Sequence, residues 1–334
     1  MITKDTLIEA ITLTKNNYYK HVIKKNGKYI YSYLPEENRK KKNYNILRHA
    51  GTTYSILETY ELIPDEELLR LAESAINYLM GKVENFEINN VAVSVVVEKD
   101  TIKLGGNALA IIMLAKYTRA TKNYKYIELM QRLAKWICEA QDKSGEFIIQ
   151  KQQYSTKEKY KFKSEYYPGE AILSLVRLYQ LDGNKDWLKR AESASQYLIK
   201  VRDKHANINT IIHDHWLLYA LNELYREQPC DMYIEHVLLI TKSIMKSQIT
   251  DNIENPTWNG AYRIPYIRLE STPTACRSEG LCAAYHLLLD YGYIIESSKI
   301  EKSIEKGIQF QLQNQLRPKS VASYKNKKLC LGAF

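Results

Sequence analysis

Two kinds of apolar pattern alternate along this chain, and the first recurs five times as a helical phrase with an unusual polar start. The copies are LRHAGTTYSILETY from Leu47, KLGGNALAIIMLA from Lys103, YPGEAILSLVRLY from Tyr167, HDHWLLYALNELY from His213 and CRSEGLCAAYHLLLD from Cys276. Each runs from a short polar or glycine-containing start into an apolar helix with a small residue near its middle: Ser55, Ala110, Ser174, Ala220 and Ala284. These positions are 55, 64, 46 and 64 residues apart, the span of one helix hairpin with its connections. A repeat of that length predicts an all-α protein whose hairpins stack or close into a toroid.

The second pattern is amphipathic and richer in charge. It reads LLRLAESAINYLM from Leu68, YIELMQRLAKWIC from Tyr126, WLKRAESASQYLI from Trp187, YIEHVLLITKSIM from Tyr233 and IEKSIEKGIQFQL from Ile300. Apolar residues at three- and four-residue steps suit helices that cover a core on one side. The more uniformly apolar phrase is therefore the inner helix of each hairpin and the amphipathic one the outer. The triplet Ala72-Glu73-Ser74 returns as Ala191-Glu192-Ser193, two repeats on. Turns at Pro64-Asp65, Asp182-Gly183-Asn184 and Gln228-Pro229 are short. The connections from outer back to inner are longer, with a β-like run over Val91–Val97, so the long loops and the polar helix starts fall on one functional face. A first helix over about Thr6–Val22 has no inner helix before it, and the sequence stops at LCLGAF where another could begin. The expectation is a single (α/α)6-like toroid over 1–334 that lacks its last inner helix.

The five helix starts bring chemistry to equivalent places. His213-Asp214-His215-Trp216 sets an acid between imidazoles and an aromatic, a grouping suited to proton transfer; an Asp at that position also serves as an N-cap. Glu170, after Tyr167-Pro168-Gly169, suits the first turn of a helix and also supplies the second carboxylate of an acid/base pair. Arg48-His49 and Arg277-Ser278-Glu279 add arginines able to clamp an anionic group or to pair with neighbouring acids. Asp214 and Glu170 are the catalytic candidates, with His49 and Glu279 in reserve. Arg48, Arg277, His213, His215, Trp216 and Tyr167, with Trp258, Asn259 and Tyr262 from a late aromatic loop that also holds Tyr266, are the substrate-binding candidates. Gly51, Gly105, Gly106, Gly169 and Gly280 suit close helix approach. Gly105-Gly106 is no phosphate loop, since neither GK[ST] nor a βαβ context follows.

Bulk properties narrow the class. Hydrophobic residues at 45% and charged residues at 26% are those of a soluble globular protein. The longest apolar run, Ala108–Ala115, is too short to span a bilayer, and Lys4, Asp5 and Glu9 break up any leader-like start. The five cysteines form no CxxC pair; a reduced, cytoplasmic protein without a thiolate zinc site, metal or cofactor is expected. The net charge of +10 favours anionic partners, acidic sugars above all, while no nucleic-acid module accompanies it.

An array of alternating inner and outer helices with long loops on one rim resembles the six-hairpin glycosidase-like (α/α) barrels. The resemblance spans about Thr6–Gln315 and rests on repeat architecture. It implies a carbohydrate-active enzyme, with glycoside hydrolysis of an acidic saccharide as the first expectation and sugar or uronate epimerisation, or polysaccharide lysis, as rivals. Lanthionine cyclases of this shape use a Cys-His pair that is missing here, and the aspartate-rich or QW elements of terpene cyclases are not evident. A non-catalytic scaffold gripping a peptide or protein is the alternative of another class. It requires the mouth residues to pair off among themselves.

Overall fold

The structure, a computed structural model, describes residues 2–88, 90–263 and 270–334. Eleven helices stand among the described residues, as the apolar repeats predict, together with short strands. Two compact units hold them. The first comprises residues 1–140, 149–162 and 315–334; the second comprises 141–148 and 163–314. Among the described residues no helix is long and apolar enough to cross a membrane.

In the first unit, α1 opens over Lys4–Leu13, widens to a π-helical stretch over Thr14–Tyr19 and closes over Lys20–Val22. It is followed by α2 (Ile46–Leu62), α3 (Glu66–Met80), α4 (Leu104–Thr121) and α5 (Ile127–Glu139). Helix α4 is buried almost all round, from Leu104 to Ala115, because it has no polar face to offer solvent. The amphipathic α3 and α5 cover α2 and α4. The β-like run becomes β4 (Val91–Glu98) of a four-stranded antiparallel sheet, ordered β3 (Val83–Ile88), β4, β5 (Thr101–Lys103) and β6 (Lys151–Gln153). Lys99 and Asp100 turn from β4 to β5 with φ of 49° and 60°, the doubly positive pair that a tight hairpin requires. A second hairpin pairs β1 (Tyr33–Leu34) with β2 (Arg39–Lys40).

Helix α1, which the sequence leaves without a partner, is covered by residues 315–334. Gln315 Nε2 donates to the Ala10 carbonyl at 2.8 Å and Thr14 Oγ1 to the Gly332 carbonyl at 2.6 Å. Asp65 caps α3 by accepting from Leu68 N at 3.0 Å and also accepts from Lys15 Nζ at 2.9 Å. These bonds, the Lys15 one first, hold its carboxyl down at about 2. Asp65→Ala is expected to cost about 1 kcal/mol, read from the denaturant midpoint. The wild-type advantage is present above the ordinary carboxylate range and is lost as pH falls toward 2, because only the ionised carboxylate makes these contacts.

The second unit repeats the hairpin plan with α6 (Tyr167–Asp182), α7 (Lys185–Tyr197, extended as a π turn over Leu198–Arg202), α8 (His215–Glu227), α9 (Asp231–Lys246), α10 (Ser271–Asp290) and α11 (Ile294–Asn314). Helices α6, α8 and α10 pack in series, while α7 covers α6 and α11 covers α10.

A further repeat emerges only in three dimensions. After α1, α5 and α9 the chain turns back through a loop closed by an isolated bridge, Ile23–Tyr29, Gln141–Phe147 and Gln248–Tyr262, the third loop being the longest. Each turn carries a glycine at positive φ, two residues before a buried aromatic: Gly27 (79°), Gly145 (95°) and Gly260 (94°). A Cβ at these glycines would lie 1.9 Å from the Ser74 carbonyl oxygen, 2.3 Å from that of Ser193 and 2.0 Å from that of Lys306, respectively. The turns clasp the backbones of α3, α7 and α11. The Ala-Glu-Ser triplet marks where two of these clasps seat.

Candidate active site

In the second unit, α6, α8 and α10 bring most of the candidate residues together. Asp214 is the N-cap of α8: its Oδ1 accepts from Leu217 N at 3.1 Å, and the side chain is fully buried. Glu170, in the first turn of α6, is 5% exposed. The two helices touch here because residue 169 is glycine; a Cβ there would sit 2.6 Å from Leu217 N and 2.8 Å from Asp214 Oδ2. Gly280 does the same between α10 and α8, where a Cβ would meet His215 Cβ at 2.9 Å. The close approach expected of these two glycines is thus observed, whereas Gly51 faces open space.

Asp214 Oδ2 and Glu170 Oε2 are buried and accept no hydrogen bond from a described residue. Burial, and then the Asp214 charge, pushes Glu170 up to about 8; burial pushes Asp214 up to about 7. The two carboxyls therefore keep at least one proton near neutrality. The linkage has a definite sign. A carboxyl raised in the folded state binds more protons there than when unfolded, so stability declines as pH rises from about 4.5 toward 8. Glu170→Gln is expected to flatten that decline and to raise Tm at pH 8–9 while leaving it little changed at pH 5, as thermal scans across pH would show.

Arg277 lies on the second turn of α10 rather than at its start, because the helix begins at Ser271, five residues before the apolar phrase. Its Nε donates to His213 Nδ1 at 3.0 Å and its Nη1 to the Pro273 carbonyl at 3.1 Å. With Nδ1 accepting, the His213 proton sits on Nε2 and is donated to Ser243 Oγ at 2.8 Å; that hydroxyl donates in turn to the Ile208 carbonyl at 2.8 Å. Burial and the Arg277 charge hold His213 down at about 4. His213 is therefore a neutral strut that orients the guanidinium. No described carboxylate forms an ion pair with Arg277.

His215, the first residue of α8, is 8% exposed, and its imidazole makes no hydrogen bond to a described residue. Its ring lies 4.9 Å from that of Trp216 and 6.0 Å from that of Tyr166. Burial, then Arg277, lowers it to about 4, so it is a neutral imidazole at pH 7. Glu279 is exposed beside it, Tyr166 is 40% exposed, and Tyr167 is half-buried at the start of α6.

The other candidates are placed elsewhere. His49 belongs to the first unit, 2% exposed, with both nitrogens engaged: Nε2 on the Ala75 carbonyl at 2.8 Å and Nδ1 on Tyr44 Oη at 2.7 Å. It is a satisfied core imidazole. Arg48, exposed in the same unit, lies over the Tyr31 ring. Tyr262 is 1% exposed, with its hydroxyl on Ser303, and serves the third clasp rather than an open sugar face. Asn259 closes its own loop by accepting from Asn252 N at 2.8 Å; Trp258 is exposed in that loop, and Tyr266 lies outside the described residues. None of the candidates lines the surface hollow formed by residues 248–254 with Arg263.

Two features were not anticipated. Arg202 grips Asp203 with two bonds of 2.7 Å, and His236 Nε2 lies 3.2 Å from Asp203 Oδ2. The Arg202 charge in this buried cluster opposes the upward shift of Asp214. In sequence the cluster is only an adjacent Arg-Asp and a distant His, indistinguishable from surface charge. Cys276 is the second, close to both His215 and Glu279.

No protein-family model matches the sequence, and none of the curated proteins matches it. Solved structures do. The chain is similar to a D-mannose isomerase (TM-score 0.70, 13% identity, 94% of this chain and 87% of that one). It is likewise similar to cellobiose 2-epimerase from Bacillus thermoamylovorans (0.68, 14%, 92% and 87%). An α-1,6-mannanase from Salegentibacter sp. aligns over 84% of this chain and 99% of that one (0.59, 15%); a variant of it, inactive through replacement of two neighbouring aspartates, was solved with α-1,6-mannotetrose. These structures belong to the six-hairpin glycosidase-like proteins, and this chain shares their all-α fold of helical hairpins.

Proposed function

We propose that the chain is a carbohydrate-active enzyme that moves a proton at a carbon of a reducing sugar, as an isomerase or 2-epimerase, with His215 carrying the proton and Arg277 holding the charge that develops. The observation behind this reading is the pairing of a neutral imidazole with a guanidinium that no described carboxylate neutralises. In an open-chain aldose, the proton on the carbon beside the aldehyde is acidified by the carbonyl. Neutral His215 takes that proton, the electron pair moves onto the carbonyl oxygen, and the resulting oxyanion lies against Arg277. The growing negative charge offsets Arg277 and makes the imidazole more basic as it accepts the proton. Return of the proton to the opposite face of the same carbon gives the epimer; return to the neighbouring carbon, with the proton of the 2-hydroxyl passing to the first oxygen, gives the ketose. Tyr166 and Trp216, whose rings neighbour the imidazole, offer ring faces to a sugar. Asp214 fixes the start of α8 and with it His215.

The two similar structures named for isomerisation and epimerisation support this reading through their coverage of the chain. Hydrolysis, the first expectation from sequence, retains one favourable observation: the raised carboxyls of Glu170 and Asp214 suit a general acid. Against it, Asp214 is fully buried, with Oδ1 committed to its helix cap. The sequence also has no Asp-Asp pair corresponding to the one whose replacement inactivates the mannanase. The unpartnered carboxylate oxygens speak against a scaffold whose mouth residues pair off. The test is a panel of neutral and uronic reducing sugars: isomerised or epimerised sugar supports proton transfer, and cleaved glycosides support hydrolysis.

A further inference from the structure

His215, Cys276 and Glu279 each present a donor atom, and these three atoms all lie within 4.8 Å of one another. The grouping comes from two elements. Cys276 and Glu279 are three residues apart on α10 and so share a face. His215 faces them from the first position of α8. Backbone geometry sets this proximity: Gly280, next to Glu279, lets α10 approach until a Cβ would meet His215 Cβ at 2.9 Å.

From this geometry we infer that His215, Cys276 and Glu279 form a three-ligand site for zinc or a similar thiophilic divalent cation. A tetrahedral zinc ion, with bonds of ~2.0–2.3 Å, spaces its ligands about 3.3–3.8 Å apart, within reach of side-chain rotation from the observed positions. One imidazole nitrogen, one thiolate sulfur and one carboxylate oxygen make a borderline-soft donor set that favours zinc over magnesium or calcium. Three protein ligands leave a fourth position for water or another oxygen ligand. Exposed Glu279 and half-buried Cys276 provide the approach, and His215 closes the site from within. Binding converts the Cys276 thiol to a zinc thiolate and releases one proton; thiolate and carboxylate together balance the ion's two charges. Because the ion occupies a His215 lone pair, zinc would inhibit the proposed proton transfer. That consequence rests on the proposed function, whereas the binding does not.

Cobalt is the direct probe. Titrating metal-free protein with Co2+ is expected to give a near-ultraviolet thiolate-to-cobalt band and tetrahedral visible bands, saturating at one equivalent and displaced by zinc. Cys276→Ser is expected to abolish the thiolate band, and Glu279→Gln to weaken binding at least about 10-fold. Cys282→Ser, on the same helix, should leave the titration unchanged. In the unmutated protein, zinc should protect Cys276 from iodoacetamide, as located by peptide mass spectrometry. Absence of the band at stoichiometric cobalt, a band that survives Cys276→Ser, or alkylation of Cys276 unaffected by zinc would each overturn the inference. A thiolate band with no turnover of any sugar would sustain the metal site and count against the proposed function.

Discussion

Replacing His215 with asparagine is expected to lower turnover of the reducing sugar by about 100- to 10,000-fold, the range that a positioned acid–base group supplies. The fold should survive: the imidazole has no hydrogen bond to a described residue, and asparagine is the smaller side chain. The loss should appear in kcat with little change in KM, because sugar binding draws on the neighbouring rings and Arg277 as well. Replacement of His213 should behave differently. Because asparagine can keep an acceptor near the Nδ1 position, the informative change is His213→Leu, which removes the acceptor at 3.0 Å from Arg277 Nε and should impair positioning of the guanidinium at less cost than loss of His215 itself. Steady-state kinetics on both variants, with thermal melts to verify folding, separate a proton carrier from a strut. Equal losses in the two would deny His215 its distinct role.

The largest expected effect on stability is at the clasps. Gly145→Ala introduces a Cβ 2.3 Å from the Ser193 carbonyl oxygen at a φ of +95°. Neither the backbone of α7 nor the turn can yield without loss of packing, and the cost should be about 3 kcal/mol or more. Gly183→Ala is the control: it also stands at positive φ (+71°) but has nothing within 4 Å. It should lose only the conformational part, about 1–2 kcal/mol. Urea denaturation of the two variants divides the steric cost from the backbone cost. A Gly145→Ala protein as stable as Gly183→Ala would mean that the clasp contributes nothing.

The helices were legible in sequence because burial imposes its own periodicity. The all-apolar phrases and the amphipathic ones between them became the expected series of helices, and Val91–Val97 became a strand. The start of α10 was not, since Ser271-Thr272-Pro273 reads as a loop, although proline is tolerated in a first helical turn. Arg277 consequently sits one turn further along than its phrase suggests. The clasps were hidden because Gly-x-aromatic is too short to stand out, with copies 118 and 115 residues apart in unrelated surroundings.

Within the site, the convergence of Glu170, Asp214, His215, Arg277 and Glu279 on neighbouring helices was readable from equivalent positions in the repeat. Their partners were not. Satisfaction of His49 by Tyr44 and Ala75, and of His213 by Ser243 and Arg277, depends on contacts between residues as far apart as 64 positions in sequence. Those contacts separate a structural imidazole from one available for chemistry. Among the imidazoles, they leave His215 as the one that the proposed proton transfer uses.

The most direct test of that assignment is mass spectrometry of mannose, cellobiose and uronic oligosaccharides incubated with the protein in deuterated water. Uncleaved sugar carrying one deuterium on carbon, converted to its epimer or ketose, is the predicted result, and His215→Asn should abolish it. Cleaved sugar that has gained the elements of water and carries no carbon-bound deuterium would contradict the account and return the chemistry to Glu170 and Asp214.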